Sequence, residues 1–173
     1  DIEFTERRLG LKLPETLCEW YKLFGRRQDF IGNQDHLLPI EELRIVDSVL
    51  VFCIENQGVT SWGIRLAKLG LTDPPIVFDD SGGGDQPIWL NTETSLHNFL
   101  ESMVYYASIQ SGKFTGQGPS TPELIATLKQ HYQDLYLPDF DMGMLLGDQE
   151  TLVNLSVNHR NEGFIWMAAR TRI

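Results

Sequence analysis

The run Val49-Leu50-Val51-Phe52-Cys53-Ile54 constrains this chain more than any other segment. All six residues are apolar, several are β-branched or aromatic, and no polar residue interrupts them. A strand with one face in water alternates apolar and polar residues. An unbroken run this short suits a strand covered on both faces. Glu55-Asn56-Gln57-Gly58 follows at once, a turn composition in which Gly58 can take positive φ. Trp62-Gly63-Ile64 then returns. The segment predicts a hairpin with strands at about 49–54 and 60–66 and a polar tip at 55–59.

The flanks supply the covering layers. Ile2 to Leu9 predicts a short helix stopped at Gly10, where a left-handed residue is favoured. Pro14 suits the first turn of a second helix, with Leu17, Trp20, Tyr21 and Phe24 on one face and Gly25 at its end. Residues 26–36 read as a polar loop. Leu37 to Ile40 reads as a short edge strand because of Pro39, and Glu41 to Asp47 as one or two helical turns. A second hairpin-like unit follows: Ile76 to Phe78, a glycine-rich turn from Asp79 to Gln86, and Ile88 to Leu90. Ser95 is an N-cap candidate for a helix to about Ser111. Gly112 to Ser120 reads as a flexible link. Thr121 and Pro122 open a helix to about Leu135. Strands are expected near 142–146, 151–157 and 163–170. Helices and strands come in groups, not in βαβ alternation. The expectation is a single α+β domain over residues 1–173, with a mostly antiparallel or mixed sheet flanked by helices.

Charge narrows the function. The chain carries 14 Lys and Arg against 24 Asp and Glu, a net charge of −10. No Lys or Arg occurs from 69 to 112, where six acids fall, nor from 130 to 159, where five fall. Those two windows account for the whole negative balance. Such a field repels nucleic acid and speeds encounter with a basic partner. No apolar run approaches a membrane span. The acidic opening Asp1 to Glu6 lacks the apolar centre of a signal peptide, and Asp1 in place of Met leaves room for residues upstream. Cys18 and Cys53 both lie in apolar surroundings and read as reduced thiols of a cytoplasmic protein.

No reaction centre emerges from the residues. His36, His97, His131 and His159 are scattered without a metal-ligand spacing, and no C-x-x-C occurs. Asp79-Asp80-Ser81-Gly82-Gly83-Gly84-Asp85 lacks the spacing of a calcium loop and the lysine of a phosphate loop. Positive φ in a wide turn accounts for its glycines. Asp139-Phe140-Asp141 follows Pro138, which favours a loop over a strand that would pair the carboxylates. No metal or cofactor is expected. All four tryptophans read as core residues, Trp62 being the one expected to be partly exposed.

Three sets of residues then stand in the order seen in the SUKH superfamily. Leu9-Gly10-Leu11-Lys12-Leu13-Pro14, followed by Leu17, Tyr21 and Phe24-Gly25, resembles its opening signature, with Phe24-Gly25 where members commonly show Asn-Gly. Leu38-Pro39 before Ile40 to Leu43 resembles its next element. Glu55-Asn56-Gln57-Gly58, Trp62-Gly63 and Asp73-Pro74-Pro75-Ile76-Val77 are similar to one branch. The resemblance covers residues 2 to 100 by motif. It implies an α+β fold without shared catalytic residues. Bacterial members are mostly immunity proteins that neutralise a cognate toxin, and fungal members regulate cell-wall synthesis through protein contacts. The expectation is a non-enzymatic binding protein, foremost an immunity protein for a basic, nuclease-type toxin. The alternative is an adaptor in an endogenous complex, and a small hydrolase whose triad assembles only in space is a remote third. Candidate partner contacts are Glu55, Gln57, Asp79, Asp80 and Asp85, with Trp62 as anchor, while Asn56 and Gly58 form the turn.

Overall fold

The computed structural model describes residues 1–25, 27, 35–135, 144–157 and 163–170. They form an α+β fold of four helices and two sheets in which every strand pairing is antiparallel. The fold class is as expected, but the strands divide between two sheets. The chain falls into two compact units, Asp1–Leu100 and Glu101–Ile173.

The first unit opens with α1 (Ile2–Leu9) and α2 (Glu15–Phe24). Gly10 stops α1 at φ 69°, the left-handed end the sequence calls for. The Glu6 carboxylate ties down the link between the helices, accepting from Lys12 Nζ at 2.6 Å and Leu13 N–H at 3.0 Å. Three long-range bonds hold the helices on the segment that follows. Thr5 Oγ1 donates to Ile40 O at 3.1 Å, Arg8 Nη2 to Leu43 O at 2.8 Å and Tyr21 OH to Leu38 O at 2.7 Å.

The sheet of this unit contains β1 (Asp35–Leu37), β2 (Arg44–Val46), β3 (Val49–Glu55), β4 (Ser61–Arg65), β5 (Pro75–Asp79) and β6 (Trp89–Ser95). Its order is β1-β3-β4-β5-β6, and β2 also pairs with β3. The apolar run therefore has neighbours along both edges. Val49 to Cys53 are each at most 1% exposed, as a strand covered on both faces must be. Phe52 meets Phe99 edge-on at 5.4 Å between ring centres. At Gly63 a Cβ would run into Val49 Cγ1 and stand 2.7 Å from the Leu50 carbonyl oxygen, so only glycine lets β4 lie this close to β3.

Two local expectations need correction. Only Ile40–Glu42 makes a helical turn, and Arg44–Val46 is a strand. Asp47 and Ser48, with φ of 45° and 62°, fold it back so that Val46 faces Val49. That is a two-residue hairpin turn made without its usual glycine, which hides it from composition. The edge strand expected at Leu37 to Ile40 lies earlier, at Asp35–Leu37.

The boundary between units falls within α3 (Leu96–Ser111). Ser95 Oγ accepts from Asn98 N–H at 3.3 Å, the expected N-cap. The second unit holds β7 (Phe114–Ser120), α4 (Pro122–His131), β8 (Gln133–Asp134), β9 (Met144–Gly147), β10 (Thr151–Val157) and β11 (Gly163–Ala169). Its sheet order is β7-β11-β10-β9-β8. Ile125 and Leu128 of α4 pack on Leu146, Val153, Leu155 and Ile165. Ile109 of α3 packs with Leu145 and Ala168, which point from the other face. Thr121 Oγ1 caps α4, accepting from Leu124 N–H at 3.3 Å. The flexible link expected at 112–120 is instead the strand β7, paired with β11 along its whole length. Its Gly116, Gly118 and Pro119 read as linker composition but are tolerated at a sheet edge. The helix expected to reach Leu135 ends at His131, and β8 follows.

Most of the polar loop at 26–36, the Asp139-Phe140-Asp141 segment, the start of the strand expected at 142–146 and most of the turn after β10 lie outside the described residues. Among the described residues no helix is long and apolar enough to cross a membrane. Cys18 and Cys53 are free thiols, half-buried and buried, and burial pushes both up from the ordinary thiol value.

Candidate functional site

Strands β3 to β6 form a meander, so the β3–β4 and β5–β6 loops emerge from the same end of the sheet. The loops also touch. A Cβ at Gly83 would stand 3.5 Å from Val59 Cα and 3.8 Å from the Gly58 carbonyl oxygen. Residues 24 to 25 positions apart thus make one surface, and five of the six candidate contacts lie on it: Glu55, Gln57, Asp79, Asp80 and Asp85.

Within this end the acids divide into two kinds. The Glu55 carboxylate turns back on its own loop, accepting from Gln57 N–H at 3.0 Å and Val59 N–H at 3.4 Å. Gly58, at φ 72°, completes that turn by donating its N–H to Glu55 O at 2.9 Å. The Asp79 carboxylate does the same for the wider loop, with one oxygen accepting from Ser81 N–H at 2.9 Å and Ile88 N–H at 2.8 Å. Gly82 and Gly83 carry the chain across at φ 63° and 82°, so positive φ accounts for them as expected. Glu55 and Asp79 are half-buried and shape the loops. Gln57, Asp80 and Asp85 are exposed.

Trp62 is the exception among the six. It is 9% exposed and packs on Phe99 with ring centres 5.9 Å apart. The expectation of a partly exposed anchor is therefore corrected. The residue sits one step into β4, where its side chain points to the core face. The exposed apolar groups at this end are Val59, at 41%, and Ile88, at 55%. Both were hidden in the sequence, one as a turn residue and one as the start of a strand that in fact begins at Trp89. A further acid joins them. Asp35 of β1 stands directly across from Glu55. Burial first, then repulsion from Glu55, holds its carboxyl above the ordinary value, with His36 opposing.

Below the loops Arg65 spans β5, donating from Nη2 to Trp89 O at 3.1 Å and from Nε to Asn91 Oδ1 at 3.0 Å. It holds the start of β6 in line with β4. Two buried polar atoms near the wider loop, Ser81 Oγ and Trp89 Nε1, have no hydrogen-bond partner. No base is therefore bonded to Ser81. Among the described residues no three His, Cys, Asp or Glu side chains gather as metal ligands. The second acidic window lies in the other unit. There Asp148 is turned to its own loop, accepting from Glu150 and Thr151 N–H at 2.8 Å each.

Comparison of the chain with models of known protein families, with curated proteins and with solved structures gives no match.

Proposed function

We propose that this protein is a cytoplasmic binding protein of the SUKH kind that neutralises a basic toxin domain, foremost a nuclease, by docking the loop end of its first sheet onto it. One observation carries this reading. Two loops in contact place exposed Val59 and Ile88 among five carboxylates, Asp35, Glu55, Asp79, Asp80 and Asp85. No Lys or Arg occurs in either loop. An apolar centre ringed by charge of one sign is what a protein partner of opposite charge needs. The apolar groups supply burial and the carboxylates supply attraction and orientation. The loops are shaped by their own carboxylates, so the surface is set before a partner arrives, which lowers the entropic cost of binding.

The test is titration of the full chain with the toxin domain encoded beside its gene, together with protection of cells that express that domain. Binding and protection are expected. Exchange of Asp80 and Asp85 for lysine is expected to slow association by about tenfold or more at low salt, with less effect at high salt. Absence of both binding and protection overturns the reading.

A further inference from the structure

The edges of the two sheets are protected to different degrees. In the first unit β6 is interrupted by a register shift opposite Pro75 to Val77 and carries the exposed Glu93. A bulge and an outward charge are both devices that keep an edge from pairing. In the second unit β8 has two residues. The edge at β7 has neither of these two devices, and its one edge-blunting residue is Pro119, next to its end. It runs seven residues in unbroken register with β11, and no charged residue occurs from Phe114 to Ser120. Thr115, Gly116, Gln117 and Pro119 are exposed, and no described strand pairs with its other side. An edge proline turns its missing N–H outward, which leaves the outward N–H groups at Thr115 and Gln117. Beside the strand lies a cleft of about 380 Å³ lined by Ile109, Gln110, Thr115, Gln117 and Trp166 among others, all uncharged. Trp166 Nε1 donates to Gln117 Oε1 at 3.0 Å and holds that side chain along the cleft.

We propose that β7 is a self-association edge, on which the β7 of a second copy of this chain pairs antiparallel about a two-fold axis at Gln117. The pairing is self-complementary in backbone and in charge. With Gln117 facing Gln117, the two residues exchange both backbone bonds, and each Thr115 N–H reaches the other copy's Pro119 carbonyl. Gly116 faces Gly118, so nothing obstructs the approach on that face, where neither glycine has a neighbour within 4 Å of an added Cβ. At either end exposed Lys113 meets Thr121 of the other copy, with exposed Glu123 in the first turn of α4 just beyond. A basic residue before the strand and an acidic one after it oppose each other only when the strands run antiparallel. A closed two-fold pair also consumes the edge, so association stops at two copies. The net charge of −10 on each copy opposes the approach, so added salt strengthens the pair where it would weaken one built on ion pairs alone. This inference does not depend on the partner surface of the first unit.

Sedimentation of the full chain over a concentration series, at low and high salt, tests it. A reversible two-copy species that grows with concentration and with salt is expected. Gly116→Lys and Gly118→Lys, each at an open position, should weaken association by about tenfold or more with unchanged circular dichroism. The register is read by Gln117→Cys, since facing residues of an antiparallel pair lie within disulfide reach, and a cross-linked two-chain product should form on mild oxidation. A chain that stays single at every concentration overturns the proposal, as does a pair that survives both lysine variants or fails to cross-link at 117.

Discussion

The sheet of the first unit and the sheet of the second use charge in opposite ways. The first keeps carboxylates on its loops and a glutamate on its outer strand, so its edge is guarded and its end is marked. The second leaves the seven-residue β7 edge without a charge and carries its acids elsewhere, at Asp134 on the short β8 edge and in turns such as Asp148 to Glu150. Their strands differ in the same sense. The apolar run of β3 is buried along five successive residues, whereas β10 is buried over three, Val153 to Leu155 with the polar Asn154 among them, between half-buried Leu152 and Ser156. A strand covered on both faces makes a rigid base from which loops can be aimed. A sheet that ends in an uncharged strand offers its backbone instead. On the two proposals made above, recognition by side chains and recognition by main chain would fall to different parts of the chain.

The sharpest way to break that comparison is to empty the two cores. Phe52→Ala removes a ring that has no exposure and an edge-on partner in Phe99, and should cost about 3–5 kcal/mol of stability in urea unfolding. Leu155→Ala in β10 should cost less, about 2–3 kcal/mol. A larger loss at Leu155 would undo the view of β3 as the more heavily covered strand.

Glycine separates the sheets next. Gly63→Ala drives a methyl into Val49 and the Leu50 carbonyl and should destabilise by about 1–3 kcal/mol. Gly116→Ala meets nothing within 4 Å and should be neutral or stabilising by up to about 0.5 kcal/mol. Equal losses at both positions, measured by thermal melting, would contradict the open edge.

Two carboxyls then report on the first unit through pH. Lys12 first, and the Leu13 N–H second, hold Glu6 below its ordinary value of 4.5. Its contribution is present above that value and is lost as pH falls through the lower folded value. Glu6→Gln should therefore cost about 1 kcal/mol at neutral pH, and the gap to wild type should close in acid. A gap that persists in acid would assign the loss to packing.

Asp35 works in the other direction and with the smallest effect. Burial and Glu55 raise its carboxyl above 3.8, so the folded state prefers it protonated. Its charge weighs on the fold fully above the raised value, and that penalty fades as pH falls through the raised value and is gone below the ordinary one. Asp35→Asn should raise stability at pH 7 by about 0.5 kcal/mol, as removal of a like-charge pair across two strands does. A drop in melting temperature would mean that the Asp35 carboxylate is held by an attraction instead.

Much of the local structure of both units could be read from the residues. The helix stop at Gly10, the caps at Ser95 and Thr121 and the turn at Glu55 to Gly58 are local devices, and each is present. Reading failed where composition and partner disagree. Gly116, Gly118 and Pro119 look like a linker until β11 supplies hydrogen bonds along the segment. Asp47 and Ser48 make a hairpin turn that glycine normally marks. Of the candidate site, the polar members were legible because turns favour Asp, Gln and Gly. Its apolar centre was not, because Val59 read as part of a polar turn and Ile88 as the start of a strand, and the exposure of both depends on where the strands stop.

By itself the sequence determined the order of most elements, the doubly covered strand that begins at Val49 and the origin of the net negative balance in two windows. These follow from periodicity, turn chemistry and a count of charges, all of which act over a few residues. The tertiary structure alone decided that there are two sheets, that the loops at 55–60 and 80–88 share one end, that Trp62 faces inward and that β7 is an edge. Those outcomes depend on which strand lies beside which. That choice is made by hydrogen bonding and burial between residues far apart in the chain, and no local pattern carries it.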